Sequence, residues 1–289
     1  MASTQLLKSR IRSVKSTRQI TKAMQLVAAS KMRRAQEATK ASAPYTEAAR
    51  ELLAGLSSRT SVKNHPLFAQ RVVKNRLMIV IASDKGLAGA YNSNIGKVYV
   101  NELRADDKAG IKNKTITVGR KASQLAARLK DTEIIGAYEE LPDQPDGNQL
   151  RAILDSARNH FTAGEVDAVD VIYTDFVSSM TQEAKVIRVL PAGFDDTIKP
   201  IVSSDITYEP GTAEVLDGVT YRLVGAQIFQ ALLDARASEH SMRMIAMKNA
   251  SDNASDLIDD LTLEMNKARQ SAITQELAEI SGGVEALSE

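Results

Sequence analysis

The sequence predicts an α/β protein in which two long terminal helices flank a central domain with a mainly parallel sheet. Gly and Pro are absent from Met1–Ala43 and again from the 56 residues of Ala226–Ser281. Because these two residue types interrupt helices, each run predicts an unbroken helix, and the second could extend about 84 Å. Between the runs, strand-like and helix-like segments alternate, and all twelve Phe and Tyr lie within Tyr45–Phe229. The conventional core is therefore expected in the middle of the chain.

The first helix is predicted over residues 1–56 and a connection over residues 57–76. Its apolar positions form a seam that drifts along one face: Leu7, Ile11, Val14, then Ile20, Met24 and Val27. Pro44 lies inside this helix and is expected to bend it or to mark a joint.

The central domain is predicted over residues 77–210. Its five strands are expected at 77–82, 116–118, 134–138, 169–174 and 184–190, and its helices at 92–106, 121–129 and 149–161. Branched apolar runs bounded by turns are typical of strands that are buried on both faces. Strand–helix alternation of this kind predicts a Rossmann-like domain, with the last two strands as an antiparallel edge.

The last helix is predicted within residues 211–289, beginning between Thr212 and Leu223. Its inner stripe advances by alternating steps of three and four residues, which is coiled-coil spacing with one longer repeat. Half of the stripe is Ala, so a partner helix could approach closely; its members are Met247, Ala250, Ala254, Ile258, Leu261, Met265, Ala268 and Ala272.

Composition narrows the possible functions. The chain has no Cys, which excludes a disulfide scaffold, a thiolate metal site and a cysteine nucleophile. It has no run of eighteen apolar residues, so no direct membrane insertion is expected. The basic N-terminus mimics a transit peptide, but the patterned segment continues without a cleavage-like break, and no secretory signal is visible. A cytoplasmic protein is expected.

Charge is divided between the two ends. Residues 1–40 carry ten basic side chains and one acid, whereas residues 238–289 carry ten acids and four Lys or Arg. The two helices could therefore pair with each other, or each could complement a different surface. The basic helix could also contact phosphates, but it lacks interleaved aromatic residues, so nucleic-acid binding is not expected.

No catalytic, cofactor or metal site is predicted. Gly86-x-x-Gly89 lies between a strand and a helix, yet it lacks the glycine pattern of a dinucleotide site and the Gly-Lys-Ser/Thr ending of a P-loop, which favours a structural turn. His65, His160 and His240 are far apart and lack metal-ligand spacing. The adjacent Asp259 and Asp260 point in different directions on a helix and form no acid–base couple.

Several segments form recognisable motifs. At the N-terminus these are Ile20-Thr-Lys-Ala-Met24 and Val27-Ala-Ala-Ser-Lys-Met32, and in the centre Ser83-Asp-Lys-Gly-Leu-Ala-Gly-Ala-Tyr-Asn92. The C-terminal motifs are Ala237-Ser-Glu-His240, Met244-Ile-Ala-Met247, Asn253-Ala254, Asn266-Lys-Ala-Arg-Gln270 and Ile273-Thr-Gln-Glu-Leu277. Together these segments resemble the gamma subunits of F-type ATP synthases, over essentially the whole chain. Ala88 stands where many members carry Cys, and the Cys-bearing insertion of chloroplast members is absent. The chain looks like a bacterial member.

The resemblance implies a non-catalytic, cofactor-free rotor. Family members wind their terminal helices into an antiparallel coiled coil inside a hexamer of alpha and beta subunits, above an α/β domain that meets the epsilon subunit and the membrane c-ring. Proton flow through the ring would turn the subunit and drive ATP synthesis on beta, or hydrolysis in reverse. This implies a peripheral protein at the cytoplasmic face of the bacterial plasma membrane.

The resemblance also implies site residues. Lys22 and Met24, together with Arg269 and Gln270, are expected to contact beta. Val284 and Leu287 are expected at the tip of the shaft, in an apolar bearing. Tyr208 and Glu209 are expected at the foot, near the c-ring and epsilon. Two alternatives remain from the residues alone: a doubly wound enzyme with helical arms for oligomerisation, and a coiled-coil adaptor unrelated to ATP.

Overall fold

A computed structural model describes residues 4–57, 62, 65–129, 132–142, 147–193 and 212–288, with the backbone alone at 148, 212–214 and 282–288. The elements in chain order are helix α1 (Thr4–Ser57), a 3-10 turn (Pro66–Phe68), strand β1 (Asn75–Ile81), α2 (Tyr91–Ala109), β2 (Lys112–Val118), α3 (Arg120–Ala126), β3 (Glu133–Tyr138), α4 (Gly147–Thr162), β4 (Ala168–Phe176), β5 (Gln182–Leu190) and α5 (Thr212–Ser288). Helix α1 continues past Pro44, so this proline does not end it.

The sheet has the strand order β3-β2-β1-β4-β5. Strands β1 to β4 run parallel, and β5 pairs antiparallel with β4 along the edge. The register sets Ile79 of β1 opposite Ile116 of β2 and Val171 of β4. The predicted mainly parallel sheet with an antiparallel edge is confirmed.

The sheet is buried on both faces, as continuous apolar strands require. On one face Ile79 and Ile81 belong to a cluster with Leu53 of α1, Phe161 of α4 and Ile228 of α5. On the other face, a second cluster unites alternate residues of β1 with α2 and α3: Met78, Val80, Ile95, Tyr99 and Ala122. Because side chains alternate along a strand, adjacent residues of β1 serve the two clusters in turn.

The chain forms two compact units, residues 28–243 and residues 1–27 with 244–289, and α1 and α5 contribute to both. In the smaller unit, Leu7 and Ile11 pack with Ile258 and Leu261. Further along α1, the Arg18 guanidinium donates to the Ser255 hydroxyl at 3.4 Å. Residue numbers rise along α1 as they fall along α5, so the two helices are antiparallel, as predicted.

The seam of this coiled coil differs from the predicted one in two places. Ile20 and Val27 are 58% and 56% exposed, while Gln25 is half-buried. The buried and half-buried positions 7, 11, 14, 21, 25 and 28 keep coiled-coil spacing even where the side chain is polar, and the exposed Arg18 occupies the step between 14 and 21. The predicted seam followed the apolar residue types, and at Ile20 and Val27 it therefore departed from the face of α1 that packs against α5. Ala272 of the predicted α5 stripe is also exposed.

Candidate functional site

The loop after β1 is a tight turn held by its own side chains. Oδ1 of Asn92 accepts hydrogen bonds from the Ser83 backbone N–H at 3.1 Å and from the Ser83 hydroxyl at 2.9 Å. Leu87 and Gly89 have φ angles of 62° and 56°. Gly89 adopts the left-handed conformation without steric cost, which is the structural role predicted for this glycine pair.

Helix α5 is fastened to this loop by an ion cluster that we call the latch: Asp84, Lys85 and Gly86 on the loop, and Arg236, Glu239 and Arg243 on α5. The Arg243 guanidinium donates to the carbonyl oxygens of Lys85 at 3.2 Å and Gly86 at 3.3 Å. Glu239 lies between Arg236 at 3.0 Å and Arg243 at 2.8 Å, and its side chain is 5% exposed. Arg236 also approaches Asp84 at 3.6 Å.

Titration of the latch is set by burial and by its ion pairs. Burial lowers the pKa of Arg236, but the neighbouring carboxylate of Glu239 outweighs it, so the pKa is raised overall. Burial raises the pKa of Tyr91, and the charge of Glu239 adds to that effect. At neutral pH the Arg236 guanidinium is therefore ionised and the Tyr91 phenol is neutral.

Neighbouring residues of α5 extend this contact across the carboxyl ends of the strands. The Ser238 hydroxyl donates to the Thr174 carbonyl of β4 at 3.2 Å, and Ser241 donates to the Ser179 carbonyl at 2.7 Å. Arg236 donates to the Leu141 carbonyl, just after β3, at 2.7 Å. Doubly wound folds bind ligands at this edge. Here the protein's own helix occupies it, which gives the Gly86–Gly89 loop a structural partner in place of a nucleotide.

The predicted beta-contact residues lie at two separate levels of the coiled coil. Lys22 is exposed and Met24 half-buried, and Lys22 shares a shallow cleft with Ser251 and Asp252 of α5. Arg269 and Gln270 are both exposed, eighteen residues further along α5 from Ser251. At helical rise this is about 27 Å, so the two pairs do not form one site.

The remaining predicted residues are those of the shaft tip and of the foot. Val284 and Leu287 lie in the last turns of α5, where the backbone alone is described. Tyr208 and Glu209 lie outside the described residues.

Comparison with known proteins places this geometry in a family. The family model described as ATP synthase matches residues 3–287. The chain is 40% identical to the ATP synthase gamma chain of Ralstonia nicotianae, over 99% of this chain and 100% of the relative. It is 39% identical to that of Stenotrophomonas maltophilia, with the same coverage. The chain belongs to the ATP synthase gamma-chain family.

Solved structures agree on the fold of this gamma-chain family member. A chain of the Euglena gracilis mitochondrial ATP synthase, in a structure of its OSCP, F1 and c-ring, aligns with a TM-score of 0.68 at 18% identity, covering 98% of this chain and 94% of that one. A chain from the central stalk and c-ring of the Tetrahymena thermophila mitochondrial enzyme aligns with a TM-score of 0.62 at 24% identity, covering 80% and 99%.

Reasoning from the sequence missed the latch of this gamma-chain family member. Two segments that contain latch residues, Ser83–Asn92 and Ala237–His240, each resemble the family, but the sequence does not indicate that they meet. The spacing of Arg236, Glu239 and Arg243 places all three on one helix face and signals an ion triad. Nothing in the spacing identifies the carbonyl groups that Arg243 binds.

The described part of the gamma chain shows neither a metal-binding cluster nor a membrane-spanning helix. No group of three or more His, Cys, Asp or Glu there is arranged to hold a metal ion. None of the described helices combines the length and the apolar character that crossing a membrane requires.

Proposed function

We propose that this chain is the central-stalk rotor of a bacterial F-type ATP synthase, located peripherally at the cytoplasmic face of the plasma membrane. As a gamma chain it is a non-catalytic subunit, because the catalytic sites of this complex lie on beta. The single observation that carries the proposal is the full-length relationship to bacterial gamma chains at about 40% identity. Its partners would be the alpha and beta subunits, epsilon and the membrane c-ring.

The charges of the coiled coil support contacts with surrounding subunits. Between the described side chains of residues 4–27 and 244–281, no ion pair within 4 Å joins the basic side chains of α1 to the acids of α5. An apolar seam holds the helices together instead, with Leu7 and Ile258 among its members. Of the two possibilities left open by the sequence, this favours helices that each complement a different external surface.

The predicted beta contacts would then act at two heights of the rotor. Lys22 and Met24 would meet beta at the level of Ser251, while Arg269 and Gln270 would meet it about 27 Å further along α5. Both Lys22 and Arg269 are exposed, as side chains with a partner on another subunit must be in the isolated chain. A rotating asymmetric surface of this kind can favour one beta conformation at a time, because its contacts differ between open and closed states.

The latch supplies a route for torque between the α/β domain and α5. Glu239 is buried and Arg243 is half-buried, and the two are ion-paired, so α5 cannot turn against the loop after β1 without breaking several charge-assisted bonds. We propose Tyr208 and Glu209 as the foot contact with the c-ring and epsilon. We propose Val284 and Leu287 as the tip of the shaft. Because contacts in an apolar bearing should oppose rotation only weakly, truncation of the tip should reduce turnover only mildly.

The test is isolation of the native assembly. A tag in the central domain, gentle solubilisation of membranes, and measurement of native mass and ATPase activity would identify what co-purifies. We expect one copy of this chain with three alpha and three beta subunits, and ATP hydrolysis. A nucleotide-binding homo-oligomer without membrane partners would overturn the proposal and restore the enzyme alternative. A partner complex without ATPase activity would favour the adaptor.

A further inference from the structure

A strongly basic cleft lies between α2 and α3, on the far side of these helices from the buried sheet. It has a volume of about 630 Å³. Four cationic side chains line it, Lys97 and Arg104 from α2, Lys121 from α3, and Arg128 from the turn that follows α3. Among its described lining residues, no carboxylate and no aromatic ring is present.

Helical spacing explains why the charges converge. Lys97 and Arg104 are seven residues apart and share one face of α2. Lys121 lies in the first turn of α3, and Arg128 lies just after the end of this short helix. Gly96 allows the two helices to approach, because a Cβ at this position would meet Leu125 Cδ2 at 3.0 Å. The close approach of α2 and α3 thus brings the two pairs of cations to a single groove.

These cations lack the internal partners that their neighbours have. Eight other cations of this unit each form an ion pair with a carboxylate: Arg76, Lys114, Arg120, Arg158, Lys185, Arg188, Arg236 and Arg243. In the described part of the chain, none of the four cleft cations does so; Lys121 donates only to the amide oxygen of Gln124 at 3.1 Å. Among the described residues, no carboxylate pairs with these cations to offset their mutual repulsion.

We propose that this cleft is a docking site for an acidic amphipathic segment of a partner protein. Its lining combines the four cations with apolar surface from Val100 and Leu125. That composition complements a segment that carries both carboxylates and aliphatic side chains. From Asn92 to Arg104 the groove follows α2 for about 18 Å, the length of about twelve helical residues. The absence of aromatic side chains from its described lining removes the stacking that single-stranded nucleic acid uses.

The full-length chain can be tested directly, whether or not the rotor proposal holds. The probe is a fluorescein-labelled twelve-residue helical peptide with Glu on its flanks and Leu on its central face, followed by fluorescence anisotropy. Comparison probes are the same peptide with Gln for Glu, a dodecathymidylate and inorganic tripolyphosphate. We expect the acidic peptide to bind more tightly than all three, and its affinity to fall as salt is raised.

Two matched variants assign any binding to the cleft. One replaces Lys97, Arg104, Lys121 and Arg128 by Gln. The other replaces four cations at exposed positions elsewhere by Gln, so that the net charge changes equally: Lys74, Lys108, Lys112 and Arg151. We expect the first to weaken peptide binding at least about tenfold and the second less than about twofold, with both retaining the wild-type thermal transition.

Each remaining outcome overturns the proposal. Equal losses in the two variants would reduce the effect to net charge. Tighter binding of dodecathymidylate or tripolyphosphate, lost in the cleft variant, would make the occupant a phosphate-bearing ligand. Absence of binding by the acidic peptide to a well-folded chain would leave the cleft without its proposed partner.

Discussion

Arg243 donates to the carbonyl oxygen of Gly86 from two of its nitrogens, Nη2 at 3.3 Å and Nε at 3.4 Å. The two residues are 157 positions apart, and one belongs to the last helix while the other belongs to the first loop of the sheet. A planar guanidinium suits this contact, because its donors lie in a fixed fork. The contact turns a glycine-rich loop that resembles a ligand site into a structural anchor for α5.

Removing this guanidinium should destabilise the α/β domain. In Arg243→Ala the Gly86 carbonyl loses the Arg243 donors, the Lys85 carbonyl retains the Ser83 hydroxyl, and Glu239 retains Arg236, so we expect a loss of about 2 kcal/mol in the free energy of unfolding. Chemical denaturation measures it. Arg243→Lys should lose less, because it keeps the charge beside Glu239. Arg222→Ala, at an exposed position of α5, is the control and should change stability by less than about 0.5 kcal/mol. A loss no larger than that of the control would refute the anchoring role.

A second buried ion cluster, around Asp170, should contribute more to the free energy of unfolding than Arg243 does. The Asp170 carboxylate on β4 is 1% exposed, and it accepts from Arg188 at 2.8 and 2.9 Å and from Arg76. Burial lowers the pKa of Arg76, yet Asp170 and its other carboxylate partners outweigh this and raise it overall. Asp170→Asn removes the carboxylate charge that faces the Arg76 and Arg188 guanidiniums, so we expect a loss of about 3 kcal/mol in the free energy of unfolding.

The same strand provides the control for this substitution. Asp175 pairs with Lys185 at 2.7 Å, and its side chain is 28% exposed. Because solvent screens this pair, Asp175→Asn should change the unfolding free energy by less than about 1 kcal/mol. Equal effects at the two positions would contradict the distinction between buried and partly exposed pairs.

Asp234 should make stability depend on pH. Burial, reinforced by the charge of Asp175, raises its pKa from 3.8 to about 6, although Gln230, Lys185 and Thr39 act in the opposite direction. The folded protein therefore holds this proton more tightly than the unfolded chain. The stability gained from protonation is complete below about pH 4 and is lost as pH rises through about 6.

Asp234→Asn removes this pH-dependent cost while keeping an acceptor for Gln230, which donates to Asp234 Oδ1 at 3.0 Å. We expect the variant to be more stable than the wild type by about 1–2 kcal/mol at pH 8 and no more stable at pH 4. Thermal unfolding across this range measures the difference, with Asp217→Asn, at a half-exposed carboxylate, as the control. A difference that does not vary with pH would rule out the linkage.

Arg269 tests the proposed contact with beta. In Arg269→Ala we expect turnover of the assembled complex to fall about tenfold, the value of one charge-assisted hydrogen bond, while the ATP affinity of isolated beta is unchanged. Lys267→Ala removes a charge from the same turn of α5 but from another face, and it should leave turnover near that of the wild type. Unaltered turnover in Arg269→Ala would remove this residue from the contact.

The sequence determined the elements and their order. Apolar branched runs specified β1 and β4, the alternation of strands and helices specified a parallel sheet, and the Gly- and Pro-free runs specified α1 and α5. These features follow from local periodicity and from which side chains must leave water, so they can be read from the residues alone. Family-like segments added the assignment to gamma chains.

Tertiary structure decided which distant residues meet. The register of α1 on α5 left Ile20 exposed and brought polar Gln25 inward, because a supercoiled seam follows position more strictly than hydrophobicity. The partnership of Arg243 with Gly86 and the ion cluster at Asp170 join elements far apart in the chain. Such pairings depend on how the elements pack in three dimensions, and no local pattern encodes that.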